Sequence, residues 1–352
     1  MTSAPAILST ATAVPDHSAS QEEVKARLRA VSAFPGRRLE AALELFDHAA
    51  VERRYSAEPL ANLGVPRTVG ETQDRYRVHA VALGQKVAAE ALSRAHLSAA
   101  EVDLIITVSC TGIMIPSFET YFTDALGFRR DVRRMPITAL GCCAGAAALA
   151  RAHDFLVGFP DARVLVISVE LPSLSLQRTD STLANMVASA LFGDGAAAVV
   201  LTGSGDRGVR ILDTLSHLFP NSTDALGFDL RDDGFHSVLS KEVPALIRSE
   251  FGRLVKTLAG NHGLGREDLS CFVLHPGGRK ILAFVEEEMG LDRDQTSPSW
   301  DVLRDYGNQS SASVLFVLHE WLTNRHPPGG SHGILAAFGP GLTAELLLLE
   351  WS

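Results

Sequence analysis

Two stretches of this chain repeat one another. Gly141 through Leu156 can be laid on Gly307 through Leu322 without a gap, and Gly, Ala, Leu, His and Leu coincide, with acidic and aromatic residues paired near the end. A second pair follows in the same order: Phe192-Gly193-Asp194-Gly195 and Phe338-Gly339-Pro340-Gly341 each precede an apolar, strand-like run. Two such matches in matching order imply a duplicated unit rich in βαβ connections. Equivalent helix starts in a duplicated fold meet near a pseudo-twofold axis, so Cys142 and Asn308 are expected to lie together.

The periodicity agrees. Val102–Ser109, Arg163–Val169, Ala196–Thr202, Cys271–His275, Gly333–Phe338 and Glu345–Trp351 read as strands, several without a polar face. Val78–Ala95, Cys142–Val157, Lys241–Ala259 and Asn308–Asn324 read as helices, and Met135–Leu140 as a short strand ahead of the first repeat. Strands buried on both faces and alternating with helices define an α/β chain with covered sheets. A length of 352 residues, 46% of them hydrophobic, allows two fused halves. Gly203-Ser204-Gly205-Asp206 is the best internal boundary, which gives halves 1–203 and 204–352, and His326-Pro327-Pro328-Gly329-Gly330 reads as a surface loop.

Net charge is −9 with no block of like charge, which argues against a nucleic-acid or anionic-membrane surface. The first cation is Lys25, so no signal-peptide n-region is expected, and no apolar run approaches a membrane span. Cys110, Cys142, Cys143 and Cys271 form neither a disulfide framework nor a CxxC zinc pattern. The expectation is a cytoplasmic protein with reduced thiols and no metal.

Chemistry concentrates at Gly141-Cys142-Cys143-Ala144-Gly145, where a helix is expected to start near Cys142. Unpaired amides in a first helical turn favour thiolate over thiol, so Cys142 is expected to be acidified. A thiol nucleophile needs a base, and a carbonyl under attack needs hydrogen-bond donors. His275, in His275-Pro276-Gly277-Gly278, offers the base; Asn308, in Tyr306-Gly307-Asn308, offers an amide NH2 at the second helix start. Each alone is more often a satisfied core or capping residue; their shared position at glycine-flanked ends of repeated elements lifts them above that. Cys143 points elsewhere on the helix and reads as core.

These segments, with Ala190-Leu191-Phe192-Gly193-Asp194-Gly195 and Phe338-Gly339-Pro340-Gly341-Leu342-Thr343, resemble the type III polyketide synthases of the chalcone synthase superfamily, from about Ile7 to the C-terminus. The resemblance implies a thiolase-like αβαβα fold, a homodimer, CoA thioesters as substrates, and no cofactor. It also implies that Cys142 carries the acyl chain, that His275 keeps the thiol ionised and, with Asn308, stabilises the enolate left when malonyl-CoA loses CO2. Phe192 would wall the junction of CoA tunnel and cavity, although sequence alone favours core packing before a glycine turn. Gly339, Pro340 and Gly341 would shape the wall beside the cysteine.

Departures from the family pattern bear on product. Cys110 lies where plant enzymes carry threonine and tetrahydroxynaphthalene synthase a second cavity cysteine, which points to a bacterial type; a buried small residue is the alternative. Ser237 replaces a gatekeeper phenylalanine, Phe235 stands near enough to fill the gap, and Phe228 replaces a glycine. Pro220-Asn221-Ser222-Thr223-Asp224 and Ser299-Trp300-Asp301-Val302-Leu303 look like the long-chain alkylpyrone and alkylresorcinol synthases, so a fatty acyl-CoA starter is expected. The family's phosphate-gripping basic positions fall on Ala41, Glu44 and His48, and Arg53 and Arg54 read as part of the Arg-Arg-Tyr element. CoA phosphate contacts are therefore unassigned, and an acyl-carrier protein stands as an alternative donor. Competing readings are a tetrahydroxynaphthalene-type synthase using malonyl-CoA alone, a β-ketoacyl synthase III-like single condensation, and an inactive thiolase-fold partner.

Overall fold

The apolar runs become strands of one sheet system, and the small-residue segments become helices sandwiched inside it. The computed structural model describes residues 4–32, 36–177, 179–204 and 208–352. In chain order the strands are β1 (Ala6–Ala13), β2 (His17–Ser20), β3 (Arg53–Ser56), β4 (Leu104–Val108), β5 (Arg133–Ile137), β6 (Arg163–Glu170), β7 (Gly195–Thr202), β8 (Val209–Leu218), β9 (Leu226–Arg231), β10 (Gly234–Leu239), β11 (Leu269–Leu274), β12 (His332–Gly339) and β13 (Thr343–Trp351). The helices are α1 (Gln21–Val31), α2 (Gly36–Asp47), α3 (Val69–Arg94), α4 (Thr123–Leu126), α5 (Ala144–Gly158), α6 (Leu183–Leu191), α7 (Val243–Gly260), α8 (Arg279–Met289), α9 (Ser297–Tyr306) and α10 (Ser313–Glu320).

The main sheet runs β11-β12-β13-β8-β1-β7-β6-β4-β5. Its two sides repeat one pattern. In the first, β4 is parallel to β6, β6 antiparallel to β7, and β7 antiparallel to β1. In the second, β11 is parallel to β12, β12 antiparallel to β13, and β13 antiparallel to β8. β1 and β8 join the two sides through a short antiparallel contact at Ala6 and Ile7. Helix α3 covers β1, β6 and β7, α7 covers β8 and β13 with α8 beside it, and α5 and α10 lie between, touching strands of both sides. The layers therefore run αβαβα, the expected duplicated thiolase-like arrangement. Gly205 and Asp206 of the expected boundary lie outside the described residues.

The central position of α5 explains its composition. Every residue from Ala144 to Ala150 is buried, so no face is left for polar side chains, and small residues let the neighbouring layers approach. An ideal Cβ on Gly145 would sit 2.2 Å from the carbonyl oxygen of Ser311.

Several boundaries differ from expectation. The strand expected at Met135–Leu140 lies at Arg133–Ile137, a mostly exposed edge strand that tolerates Pro136 because one side needs no ladder bonds. Gly141–Cys143 forms a 3-10 turn and the α-helix starts at Ala144, so Cys142 precedes the helix rather than opening it. In the second repeat Ser310–Ala312 is the 3-10 turn, α10 begins at Ser313, and Trp321–Arg325 closes as a π turn. Asn308 thus sits on extended backbone, bridged to Phe192. Among the described residues no helix is long and apolar enough to cross a membrane.

Gly145→Val is expected to destabilise the fold by about 3 kcal/mol or more, since backbone rather than a movable side chain blocks the new atoms; a lowered denaturant midpoint, or loss of folded protein, checks it.

Candidate active site

Cys142, His275 and Asn308 line one cavity together with Phe192, Phe228, Ser237, Phe338 and Pro340. Each is carried there by a different connection. The Gly141–Cys143 turn lies against the loop after β12: an ideal Cβ on Gly141, whose φ is +52°, would fall 2.5 Å from the Pro340 ring, and one on Gly339 would fall 2.4 Å from the Cys143 sulfur. Glycine at both positions lets the loop press on the turn and set Pro340 in the wall beside Cys142. Gly341, at φ +65°, donates its N–H to the Leu226 carbonyl at 2.9 Å, which ties the same loop to β9.

His275 follows β11, and its N–H extends the ladder to the Ala336 carbonyl at 2.8 Å. Its Nδ1 is buried without a hydrogen-bond partner among the described residues. The Asn308 N–H donates to the Leu191 carbonyl at 2.8 Å, and the Asn308 carbonyl accepts from the Gly193 N–H at 3.1 Å. Its side-chain Oδ1 accepts from the Ser310 N–H at 2.8 Å. That bond orients the amide, because a donor faces the oxygen, and leaves the NH2 as the group's donor toward a ligand.

The expected acidification of Cys142 is not what the structure shows. Burial pushes its thiol up to about 11; the bond to Ser310 opposes this, and the Glu170 charge adds to it. Burial likewise pushes His275 down to about 3. Each group is pushed toward its neutral form by desolvation, which the Ser310 bond only partly offsets at Cys142 and nothing among the described residues offsets at His275.

Sequence reading missed the residues behind the cysteine. Ser310, with φ at +49°, places its hydroxyl 3.3 Å from the Cys142 sulfur and 3.1 Å from the Cys110 sulfur. Cys110 in turn lies 3.4 Å from Glu170 Oε1. Glu170 is fully buried and accepts from the Cys110 and Thr111 amides, the Thr111 hydroxyl at 2.7 Å and the Ser311 hydroxyl. Its sequence signal was a lone acid ending a strand that is apolar apart from Arg163 and Ser168.

A second cavity adjoins the first. It contains Cys110, Ser310 and Phe235, and shares Phe192, Phe228 and Ser237 with its neighbour. The Phe192 and Phe228 rings are 6.4 Å apart, and Phe235 meets Phe228 edge-on at 6.3 Å. Ser237 pairs directly with Phe228 across β9 and β10, so the two side chains share one face of the hairpin. Of the expected cavity residues, Cys110, Phe192, Phe228, Phe235, Ser237 and Pro340 line the two cavities, whereas Gly339 and Gly341 flank Pro340 without lining either. Arg54 is not available to phosphate: it is buried, and its guanidinium donates to the carbonyls of Ser189, Ala190 and Phe192 at the end of α6. Ala41, Glu44 and His48 are exposed and offer no fixed positive charge.

A nucleophile, a base and an amide donor around an apolar cavity suit acyl transfer between thioesters. Residues 2–205 match the N-terminal domain of chalcone and stilbene synthases and residues 211–351 match their C-terminal domain. The chain belongs to that family: it is a type III polyketide synthase, an acyltransferase that carries out decarboxylative condensation of malonyl-CoA. It is similar to 1,3,6,8-tetrahydroxynaphthalene synthase of Streptomyces peucetius subsp. caesius, 38% identical over 97% of this chain and 91% of the relative. It is also similar to the alpha-pyrone synthesis polyketide synthase-like Pks18 of Mycobacterium tuberculosis, at 28% identity over 97% and 89%. The crystal structure of 1,3,6,8-tetrahydroxynaphthalene synthase from Streptomyces coelicolor A3(2) superposes with a TM-score of 0.94, at 35% identity over 99% of both chains. Membership displaces the single-condensation and inactive-partner readings.

Ser310→Ala removes a bond that lowers the Cys142 thiol's pKa, so less thiolate is present at neutral pH; iodoacetamide should alkylate Cys142 about tenfold more slowly at pH 7, with the deficit closing as pH rises.

Proposed function

We propose that Cys142 is the acyl-carrying nucleophile, His275 its proton acceptor and Asn308 the enolate-stabilising donor. The observation that carries this is the oriented Asn308 amide, whose NH2 is left for a ligand in the cavity that Cys142 and His275 also line. In loading, the Cys142 sulfur bonds to the starter carbonyl, CoA thiolate departs, and the thiol proton passes through His275 to the leaving sulfur. In extension, the carbon–carboxylate bond of malonyl-CoA breaks to release CO2, and its electrons form an enolate whose oxygen accepts from Asn308 and His275. The enolate carbon then attacks the Cys142 thioester and returns the thiolate. Decarboxylation needs donors at the thioester oxygen rather than a base, which is the use for a neutral amide. The apolar Phe192 wall would disfavour the malonyl carboxylate and favour its loss.

The starter we infer is a fatty acyl-CoA, cyclised after extension to an alkylpyrone or alkylresorcinol. The second cavity supports it: its lining includes Val24, Leu28, Leu60, Leu63 and Leu174, apolar side chains worth about 0.8 kcal/mol for each methylene they bury, with Glu58 and Arg67 on the same lining. A second reading, a tetrahydroxynaphthalene-type product from malonyl-CoA alone, is favoured by the 38% identical relative and by Cys110 in that cavity. We infer further that the chain is two duplicated halves, 1–203 and 204–352, and that it works as a homodimer. Ile113, Ile115, Tyr121, Met135 and Leu140 leave large apolar side chains exposed on and beyond β4 and β5, a surface suited to a second copy.

Cys142→Ala should abolish acyl loading, and His275→Ala should cut CO2 release from malonyl-CoA by about 100-fold or more; wild-type turnover in either variant removes the assignment. Incubation with malonyl-CoA alone and with C6 to C18 acyl-CoAs, with products identified by mass, decides the starter. Ser237→Phe should then shorten the accepted chain. Tetrahydroxynaphthalene from malonyl-CoA alone would instead establish the second reading. Light scattering should give twice the chain mass, and Ile115→Asp should lower it toward the monomer.

A further inference from the structure

Away from the site already described, His236 is bonded at both ring nitrogens by two carboxylates. His236 is on β10, between Phe235 and Ser237. Alternation along the strand turns it to the face opposite those two cavity residues. It is 7% exposed, its Nδ1 lies 3.0 Å from Asp180 Oδ2, and its Nε2 lies 2.8 Å from Asp233 Oδ1. Carboxylates only accept, so both bonds exist together when the ring carries both protons.

The two acids belong to different parts of the fold. Asp233 is in the turn between β9 and β10, and its carboxyl is held below the usual range, first by its bond to His236. Asp180 precedes α6 and is fixed from that side: its Oδ1 accepts from the Thr182 N–H at 2.9 Å, and its carbonyl accepts from Asn185 Nδ2 at 2.8 Å. The imidazole therefore bridges the tip of the β9–β10 hairpin to the segment leading into α6.

Those two elements face one another across both cavities. The hairpin contributes Phe228 and Ser237 to each, and α6 contributes Ala188 to each. The base of the hairpin is held by the Gly341-to-Leu226 bond described above. At its tip, the other polar tie to the α6 side among the described residues is Gln177 Nε2 to the Asp233 carbonyl, at 3.1 Å. The base is thus tied to the loop beside Cys142 while the tip depends on the His236 bridge and one amide.

We propose that His236 is a positioning residue for substrate specificity: by clasping Asp180 to Asp233 it fixes the spacing between the hairpin and α6, and so the length and width of acyl chain that fits between them. The proposal rests on the function proposed above. It places His236 in contact with neither substrate nor the reacting atoms; it acts through Phe228, Phe235 and Ser237.

The test compares purified wild type with His236→Phe, which fills the site without polar bonds, and with His236→Gln, which retains a donor toward Asp180. Three quantities are measured: the ratio of kcat/KM for C6 and C16 acyl-CoA, CO2 release from malonyl-CoA, and the melting temperature. His236→Phe should shift the chain-length ratio by about tenfold toward the longer starter. CO2 release should stay within about twofold, since Cys142, His275 and Asn308 are untouched. His236→Gln should restore most of the wild-type ratio. If His236→Phe does not fold, Asp180→Asn, which keeps an oxygen for the Thr182 amide, should shift the ratio in the same direction. An unchanged ratio in a variant that melts like wild type overturns the proposal, and so does an equal loss of extension at every chain length and of CO2 release. If malonyl-CoA proves the sole substrate, the distribution of product lengths replaces the ratio and is expected to broaden. A wild type that releases no CO2 removes the functional reading and the clasp with it, whereas CO2 release with an unmoved ratio removes the clasp alone.

Discussion

The backbone bridge between Phe192 and Asn308 is the contact on which the site depends. Two hydrogen bonds, Asn308 N–H to Leu191 carbonyl and Gly193 N–H to Asn308 carbonyl, join the end of α6 in one half to extended chain in the other. They set the cavity's aromatic wall and the amide proposed to stabilise the enolate at a fixed separation, with no side-chain torsion between the two backbones. Arg54 reinforces the arrangement from behind, since its guanidinium satisfies carbonyls at the end of α6 that have no helical partner. A charged group spent in this way is unavailable to substrate, and Ala41, Glu44 and His48 put no Lys or Arg in its place.

Electrostatics in the cavity are governed by desolvation. Cys142 and His275 are each driven toward their neutral forms by burial, in opposite directions on the pH scale. In the proposed roles, a charge on either group would have to overcome that penalty. Behind Cys142 the hydroxyl of Ser310 touches both cavity thiols, and Glu170 collects the donors beyond Cys110. That chain of polar groups crosses the boundary between repeats, as Ser310 comes from the second and the two cysteines and Glu170 come from the first.

Much of this was legible before folding. The strands at Arg163–Glu170, Gly195–Thr202 and Thr343–Trp351 announce themselves because strands buried on both faces need unbroken apolar runs, and the repeat around Gly141 and Gly307 marks the axis where the halves meet. Strand β1 gave little signal, because Ala, Ser and Thr dominate Ala6–Ala13 and its burial comes from neighbours in the sheet. Helix starts were misplaced for a related reason. Cys142 and Ser310 lie in 3-10 turns set by packing of the repeats on each other, which local propensity does not encode.

The sequence by itself determined the duplicated α/β architecture, the family, and the three residues proposed to act on the thioester, since each rests on residue type at a spacing that local geometry enforces. Only the tertiary structure decided the protonation preference of Cys142, the bridging position of Ser310, the pairing of Phe228 with Ser237 at the cavity, and the bond from His236 to Asp180. These depend on burial and on through-space distances between segments far apart in the chain, and neither quantity is carried by any single stretch of sequence.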